Sequence, residues 1–233
     1  MKFALVNNQK VEAKKELKGI CPLCQQPVIP KCGEYRSDHW AHKSIAHCDK
    51  WWEKETEWHR QWKNKFPIEW QEIIATDEKT GEKHIADNKT NEGMVIEFQH
   101  SYISEEERIS RELFYKNDMI WIVDGTRRKR DFIHFTEAFS YLGEIWPINN
   151  NSPLHVMYNA DVFFPKEWTR SHVPVLFDFK GLLDNDELYD NDPRREPLWC
   201  LLPITITWKN SICNPVIKCD RKIIEEEILG GGF

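Results

Sequence analysis

At 233 residues, with 40% apolar and 30% charged side chains, the chain is long enough for one large or two modest domains with real cores, and its composition excludes a disordered chain or a mini-protein. No run approaches the roughly eighteen apolar residues that span a bilayer, and the first residues lack the apolar stretch and cleavage site of a signal peptide, so a cytoplasmic protein with no membrane partner is expected. The net charge of −6 argues against a surface that binds polyanions everywhere, but it is uneven: +4 over residues 1–54, −7 over 55–124 and −3 beyond.

Phe3 to Val6 reads as a short strand followed by an Asn-Asn turn. From Asp49 to Phe66 the residues Trp51, Trp52, Glu55, Trp58, His59, Trp62 and Phe66 recur at spacings of three and four, which predicts an amphipathic helix stopped by Pro67. Three extended segments follow, Ile68 to Ala75, Glu82 to Ala86 and Met94 to Gln99, separated by polar turns at 77–81 and 88–93. Ser104 and three glutamates open a predicted helix over 104–117, with Ile109, Leu113 and Phe114 on one side. Met119 to Val123 is a continuous apolar run, as expected of a strand buried on both faces. Beyond Gly125 the pattern thins to a helix near 132–142, a turn at 149–153, a strand at 173–179, an acidic loop near 184–192 and a strand at 201–208.

Seven cysteines without a secretion signal point to metal ligation or burial rather than disulfides. Cys21-Pro-Leu-Cys24 can bring two thiolates to one tetrahedral ion, and His39-Trp-Ala-His42 and Cys48 follow at a distance typical of structural zinc sites. The expected quartet is Cys21, Cys24, His42 and Cys48, with His39 as the alternative fourth ligand and Cys32 set aside. Buried thiols beside surface histidines would give the same residues. A closed four-ligand site would stabilise a segment too short to bury its own core. The positive charge of this segment would also suit contact with a nucleic-acid backbone.

Asp87 ends one predicted strand, and Glu97-Phe-Gln99 lies on the next. Residues two apart in a strand share a face, so Glu97 and Gln99 point together while Ile96 and Phe98 enter the core, and Asp87 is expected to meet Glu97 across the turn. Two carboxylates on rigid strands make a hard-oxygen site for Mg²⁺ or Mn²⁺, which phosphodiester hydrolysis uses to offset developing charge and activate water, with Gln99 orienting water or phosphate. On composition alone, solvated strand residues explain the same pattern.

The order of motifs adds to this: Cys-Pro-x-Cys, His-Trp-Ala-His, Glu55-Thr56-x-x-His59-x-x-x-Lys63, Ala86-Asp87, then Ile96-Glu97-Phe98-Gln99-x-Ser101-x-Ile103-Ser104. Over roughly residues 20–123 it resembles the competence protein CoiA-like nuclease family. The resemblance implies a PD-(D/E)xK, restriction-endonuclease-like core of mixed sheet and flanking helices, with the family's acidic metal ligands falling on Asp87 and Glu97. The position usually held by lysine falls on Gln99. Glu55, His59 and Lys63, four apart, fall on one face of the preceding helix, Glu55 towards metal and His59 or Lys63 towards phosphate; an exposed Glu-to-Lys charge pattern is the plain alternative.

The expected fold is α+β, with a zinc module at 1–50, a nuclease core at 51–125 and a C-terminal extension of mixed α/β character at 126–233. The expected function is metal-dependent hydrolysis of DNA in competence or in phage defence, with RNA still open as a substrate. The alternatives are a non-catalytic nucleic-acid binder of the same fold and a protein that docks a partner through its C-terminal half. Arg111 with Tyr115, and the run Arg127 to Arg130, could meet phosphate, though exposed surface charge explains both. The tryptophans of the Trp51 to Trp62 stripe suit core packing better than base stacking, and Cys200, Cys213 and Cys219 suit burial.

Overall fold

The computed structural model describes residues 1–33, 36–43, 48–142, 154–158, 160–180, 192–208 and 211–231, in two compact units, Met1–Lys89 and Thr90–Phe233. The fold is mixed α+β. Among the described residues no helix is long and apolar enough to cross a membrane.

The first unit opens with a five-stranded sheet of β1 (Phe3–Val6), β2 (Gln9–Glu12), β3 (Gly19–Ile20), β4 (Pro27–Gly33) and β5 (Arg36–His42), in the order β2-β1-β3-β4-β5. Asn7 and Asn8 make the β1–β2 turn with φ of 51° and 62°, the left-handed pair a tight hairpin demands and asparagine tolerates. Ala4, Ala13, Cys21, Val28 and Trp40 form one buried cluster against the sheet. Gly19 is required there, because a Cβ would stand 2.9 Å from that of Ala4 and 3.0 Å from the Trp40 ring.

The expected helix over 49–66 is shorter: α1 is Glu57–Lys63, capped by Thr56. The residues before it are held otherwise. Asp49 accepts from the Ile85 amide at 2.9 Å and pairs with His84 at 2.7 Å, while Trp51 stacks on His84 with ring centroids 3.4 Å apart. Asp49 is therefore fixed in place before the helix begins, and Glu55 precedes the helix rather than riding on it. A single 3₁₀ turn at Ile68–Trp70 leads into β6 (Gln71–Thr76), which pairs antiparallel with β7 (Lys83–Lys89) around the Asp77–Gly81 turn. The strand β7 runs on through Asp87, Asn88 and Lys89.

In the second unit, β8 (Val95–Gln99), β9 (Met119–Asp124) and β11 (Val175–Asp178) are parallel neighbours. The sheet continues through β12 (Leu198–Leu201) and β14 (Ser211–Cys219) to β10 (Leu154–Tyr158), all antiparallel, and β13 (Ile206–Trp208) also pairs with β14. The extended segment expected at 201–208 is thus two strands, and β10 to β14, all from beyond residue 125, share a sheet with β8 and β9. Every residue of β8, β9, β11 and β12 is buried, as sheets covered on both faces require.

Helices α2 (Glu105–Phe114), α3 (Lys129–Leu142), α4 (Lys166–Thr169) and α5 (Arg221–Gly230) complete the unit. The N-cap of α2 is Ser104, as its sequence predicts, but its inward face is reversed. Leu113 is exposed, whereas Arg108, Arg111 and Glu112 are buried, because Glu112 accepts from Arg108, the Trp121 indole and Ser171. The expected turn at 149–153 lies outside the described residues, as does nearly all of the expected acidic loop.

Candidate functional site

In the first unit, the Cys-Pro-Leu-Cys turn folds tightly: the Cys21 amide donates to the Gln26 carbonyl and the Gln25 amide to that of Cys21, with Gln25 left-handed at φ 58°. The amides of Leu23 and Cys24 donate to the Cys21 sulfur. The end of β5 brings in His42, and Cys48 completes a group whose donor atoms all lie within 4.8 Å of one another. Cys21 Sγ is 3.6 Å from Cys48 Sγ, and Cys24 Sγ is 3.2 Å from His42 Nε2. A tetrahedral ion with metal–sulfur bonds of about 2.3 Å separates two sulfurs by about 3.8 Å, so this Cys₃His donor set fits one metal ion. His39 stays apart, its Nδ1 3.0 Å from the Ser37 carbonyl. Burial and the neighbouring sulfurs push the Cys48 thiol up, which a bound divalent cation would reverse by favouring thiolate.

The same unit gathers Glu55, His59, Lys63 and Asp87. Spacing of four on α1 places His59 and Lys63 on one face, and both are buried, so the exposed-face alternative does not describe them. Asp87, with 16% of its side chain exposed, has Oδ2 2.9 Å from His59 Nε2 and Oδ1 3.0 Å from Lys63 Nζ. Lys63 also lies 3.1 Å from Glu55 and 3.3 Å from Glu72, while Arg60 pairs with Glu55 and Glu53 approaches His59 at 3.3 Å.

Charge balance sets the protonation states. Burial alone would neutralise Lys63, but Asp87, Glu55 and Glu72 hold its pKa well above the ordinary value. Burial likewise works against a charged His59, yet the Asp87 and Glu53 carboxylates raise it to about 9. Glu55 and Glu72 are both lowered despite burial, chiefly by Lys63.

Glu72 escapes a reading by sequence. It sits at φ 47°, strained for a residue with a side chain, and the β6–β7 register passes from Gln71↔Asn88 to Ile73↔Ala86 around it. This left-handed turn of the backbone goes with a carboxylate that accepts from the amides of Lys2 at 2.6 Å and Phe3 at 3.0 Å while meeting Lys63. Its acidic character beside Gln71 is the only sequence signal.

Glu97 and Gln99 lie in the second unit, on one face of β8 and both buried. Arg111 Nη1 is 3.2 Å from Glu97 Oε2, and the Tyr115 hydroxyl donates to Oε1 at 3.2 Å. Spacing of four on α2 therefore serves Glu97 rather than solvent. Gln99 Nε2 donates to the Ser101 carbonyl at 3.1 Å, which fixes the amide. Cys32, Cys200, Cys213 and Cys219 lie outside the metal cluster.

No curated protein and no solved structure matches the chain. Two family models do: competence protein CoiA, N-terminal domain, over residues 4–50, and competence protein CoiA, nuclease-like domain, over residues 83–158. The first takes in all four residues of the Cys-His cluster, the second Asp87, Glu97 and Gln99, and together they span more than half of the sequence: the chain belongs to the competence protein CoiA family.

Proposed function

We propose that the chain is a metal-dependent nuclease that hydrolyses DNA phosphodiester bonds, with Asp87 and Glu97 as ligands of Mg²⁺ or Mn²⁺ and Gln99 orienting the attacking water. Zinc is the ion we assign to Cys21, Cys24, His42 and Cys48, in a structural role, since that site is closed by four protein ligands. The setting we favour is processing of incoming DNA in competence. The observation that carries the reading is the Asp87 carboxylate, partly accessible and gripped by His59 and Lys63, on a strand within the nuclease-like match.

The donor set suits a hard divalent cation, since carboxylate oxygens are the ligands such ions prefer. When bound, the ion would supply charge for the phosphorane-like transition state and lower the pKa of water. This chain's residues do the rest. Glu55 and Glu72 keep Lys63 charged, so that a fixed ammonium faces the phosphate beside Asp87. Arg111 and Tyr115 hold Glu97 in one orientation, and Ser101 holds the Gln99 amide so that its oxygen can accept from water.

The test is incubation of zinc-loaded protein with linear, nicked and single-stranded DNA and with RNA, with and without Mg²⁺ or Mn²⁺. Cleavage of DNA that needs the added ion and disappears in Asp87→Asn and Glu97→Gln, with DNA binding kept, is expected. No cleavage with either ion would overturn the reading. A binding-only protein of the same fold has one observation in its favour, that Asp87 and Glu97 are each ion-paired within the protein. It requires Asp87→Ala to leave both DNA binding and biological activity unchanged.

A further inference from the structure

The second unit also holds a histidine and aspartate pair that the reading above does not use. Because β8, β9 and β11 run parallel, His100, Asp124 and Asp178 gather at their carboxyl ends, where open α/β sheets bind ligands. His100 follows β8 directly, and its Nδ1 lies 2.7 Å from Asp124 Oδ2. Asp124 is buried, and its Oδ1 accepts from the Thr126 amide at 2.8 Å and hydroxyl at 2.6 Å, so the carboxylate cannot turn. A carboxylate only accepts, so Nδ1 carries the proton shared with Asp124 and the ring is fixed in orientation.

The imidazole is 34% exposed to solvent and also borders a cavity of about 10 Å³, the size of one water, with Ser101, Val123, Arg127 and Phe177. Val123 is the register partner of Gln99, and Phe177 that of Val123, so the cavity borders the face of the sheet that carries Gln99 and Glu97. Asp178 differs: Arg221 at 2.6 Å and the Lys180 amide at 2.9 Å tie it down as a brace.

We propose that His100, held by Asp124, gives its Nε2 proton to the leaving-group oxygen as the phosphodiester is hydrolysed. The proposal rests on the nuclease reading. Water oxygen bonds to phosphorus as the bond from phosphorus to the leaving oxygen breaks. That oxygen keeps the bonding pair and takes the proton from His100, the attacking water loses a proton to solvent, and imidazole is reprotonated from solvent. Asp124 holds the ring through Nδ1 in one orientation during each transfer.

The test compares wild type, His100→Gln, Asp124→Asn and Glu97→Gln on short oligothymidylates and on counterparts with sulfur at the 3′- or 5′-bridging positions, whose thiolate leaves without protonation. His100→Gln is expected to lower kcat on the oxygen substrate by about 10²–10⁴-fold with KM within a few-fold, and to approach wild type on one sulfur series. Asp124→Asn follows the same pattern with a smaller loss and serves if the His100 variant does not fold. Wild-type kcat for His100→Gln on the oxygen substrate, or equal loss on oxygen and both sulfur series, overturns the proposal while the nuclease reading stands. No cleavage by wild type overturns both, and Glu97→Gln should stay inactive throughout.

Discussion

Replacing Lys63 with methionine tests whether one buried cation holds the acid cluster together. Its ammonium lies 3.0 Å from Asp87, 3.1 Å from Glu55 and 3.3 Å from Glu72, and methionine keeps the stem while removing only the charge. Asp87 and Glu55 would retain His59 and Arg60 as cationic partners, but Glu72 would lose the ammonium it touches and keep the amides of Lys2 and Phe3 with only the more distant charges of the N-terminus and Lys10. Breaking a buried ion pair costs about 3–5 kcal/mol, and because two of the three acids keep a cation the lower end applies, about 3 kcal/mol. For a chain of this size that lowers Tm by about 6–12 °C. Urea titration of zinc-loaded protein at neutral pH reads the loss through tryptophan fluorescence, to which Trp58 and Trp62 on α1 contribute. In a double-mutant cycle, Asp87→Asn in the Lys63→Met background should cost at least about 1 kcal/mol less than in wild type. Lys63→Met within about 1 kcal/mol of wild type, or strict additivity, would refute the reasoning.

Metal analysis should find one zinc per chain, lost in Cys48→Ser and His42→Ala but kept in His39→Ala; zinc retained by His42→Ala would redirect the ligand assignment. With zinc loaded and no Mg²⁺ added, the raised His59 pKa makes its contribution fully present below pH 6.5 and lost as pH rises towards about 9. That is about 3 kcal/mol of stability, and His59→Gln should remove this alkaline decline from urea midpoints. Glu72 acts in the opposite direction: its depressed carboxyl contributes above pH 4.5, and the contribution fades as pH falls through its lowered folded value, so Glu72→Gln should flatten the acid limb. Gly125→Ala would put a Cβ 2.5 Å from the Phe179 ring and should cost about 1–3 kcal/mol by thermal melting, whereas an unchanged Tm would show that the ring gives way freely.

Periodicity and capping made several elements readable from sequence: β1 with its asparagine turn, the β6–β7 hairpin, β9 as a strand buried on both faces and α2 from Ser104. These are local signals, and local chemistry decided them. The tryptophan stripe misled because helical spacing at Trp51 and Trp52 coexists with Asp49 and Trp51 being claimed by His84, a partner 35 residues away. The inward face of α2 was misread because burial of Arg108 and Arg111 depends on acids supplied by their own helix and by β8. The Cys-His quartet was legible from ligand spacing alone, as was the grouping of His59 and Lys63 on one helix face. Glu72 was not, since a single left-handed residue near the start of a strand leaves no pattern.

Glu72 also bears on how such a chain can be recombined. Its carboxylate links amides at positions 2 and 3 to an ammonium at position 63, so this acid ties the opening sheet to the later hairpin, beside the bonds of Lys2 and Lys10 to Gln71. A chimera exchanged near residue 50 inherits the two halves of that junction from different parents and needs an acid at 72 with the same left-handed backbone. One exchanged near residue 89 carries the junction whole, at the cost of taking Asp87 and Glu97 from different parents.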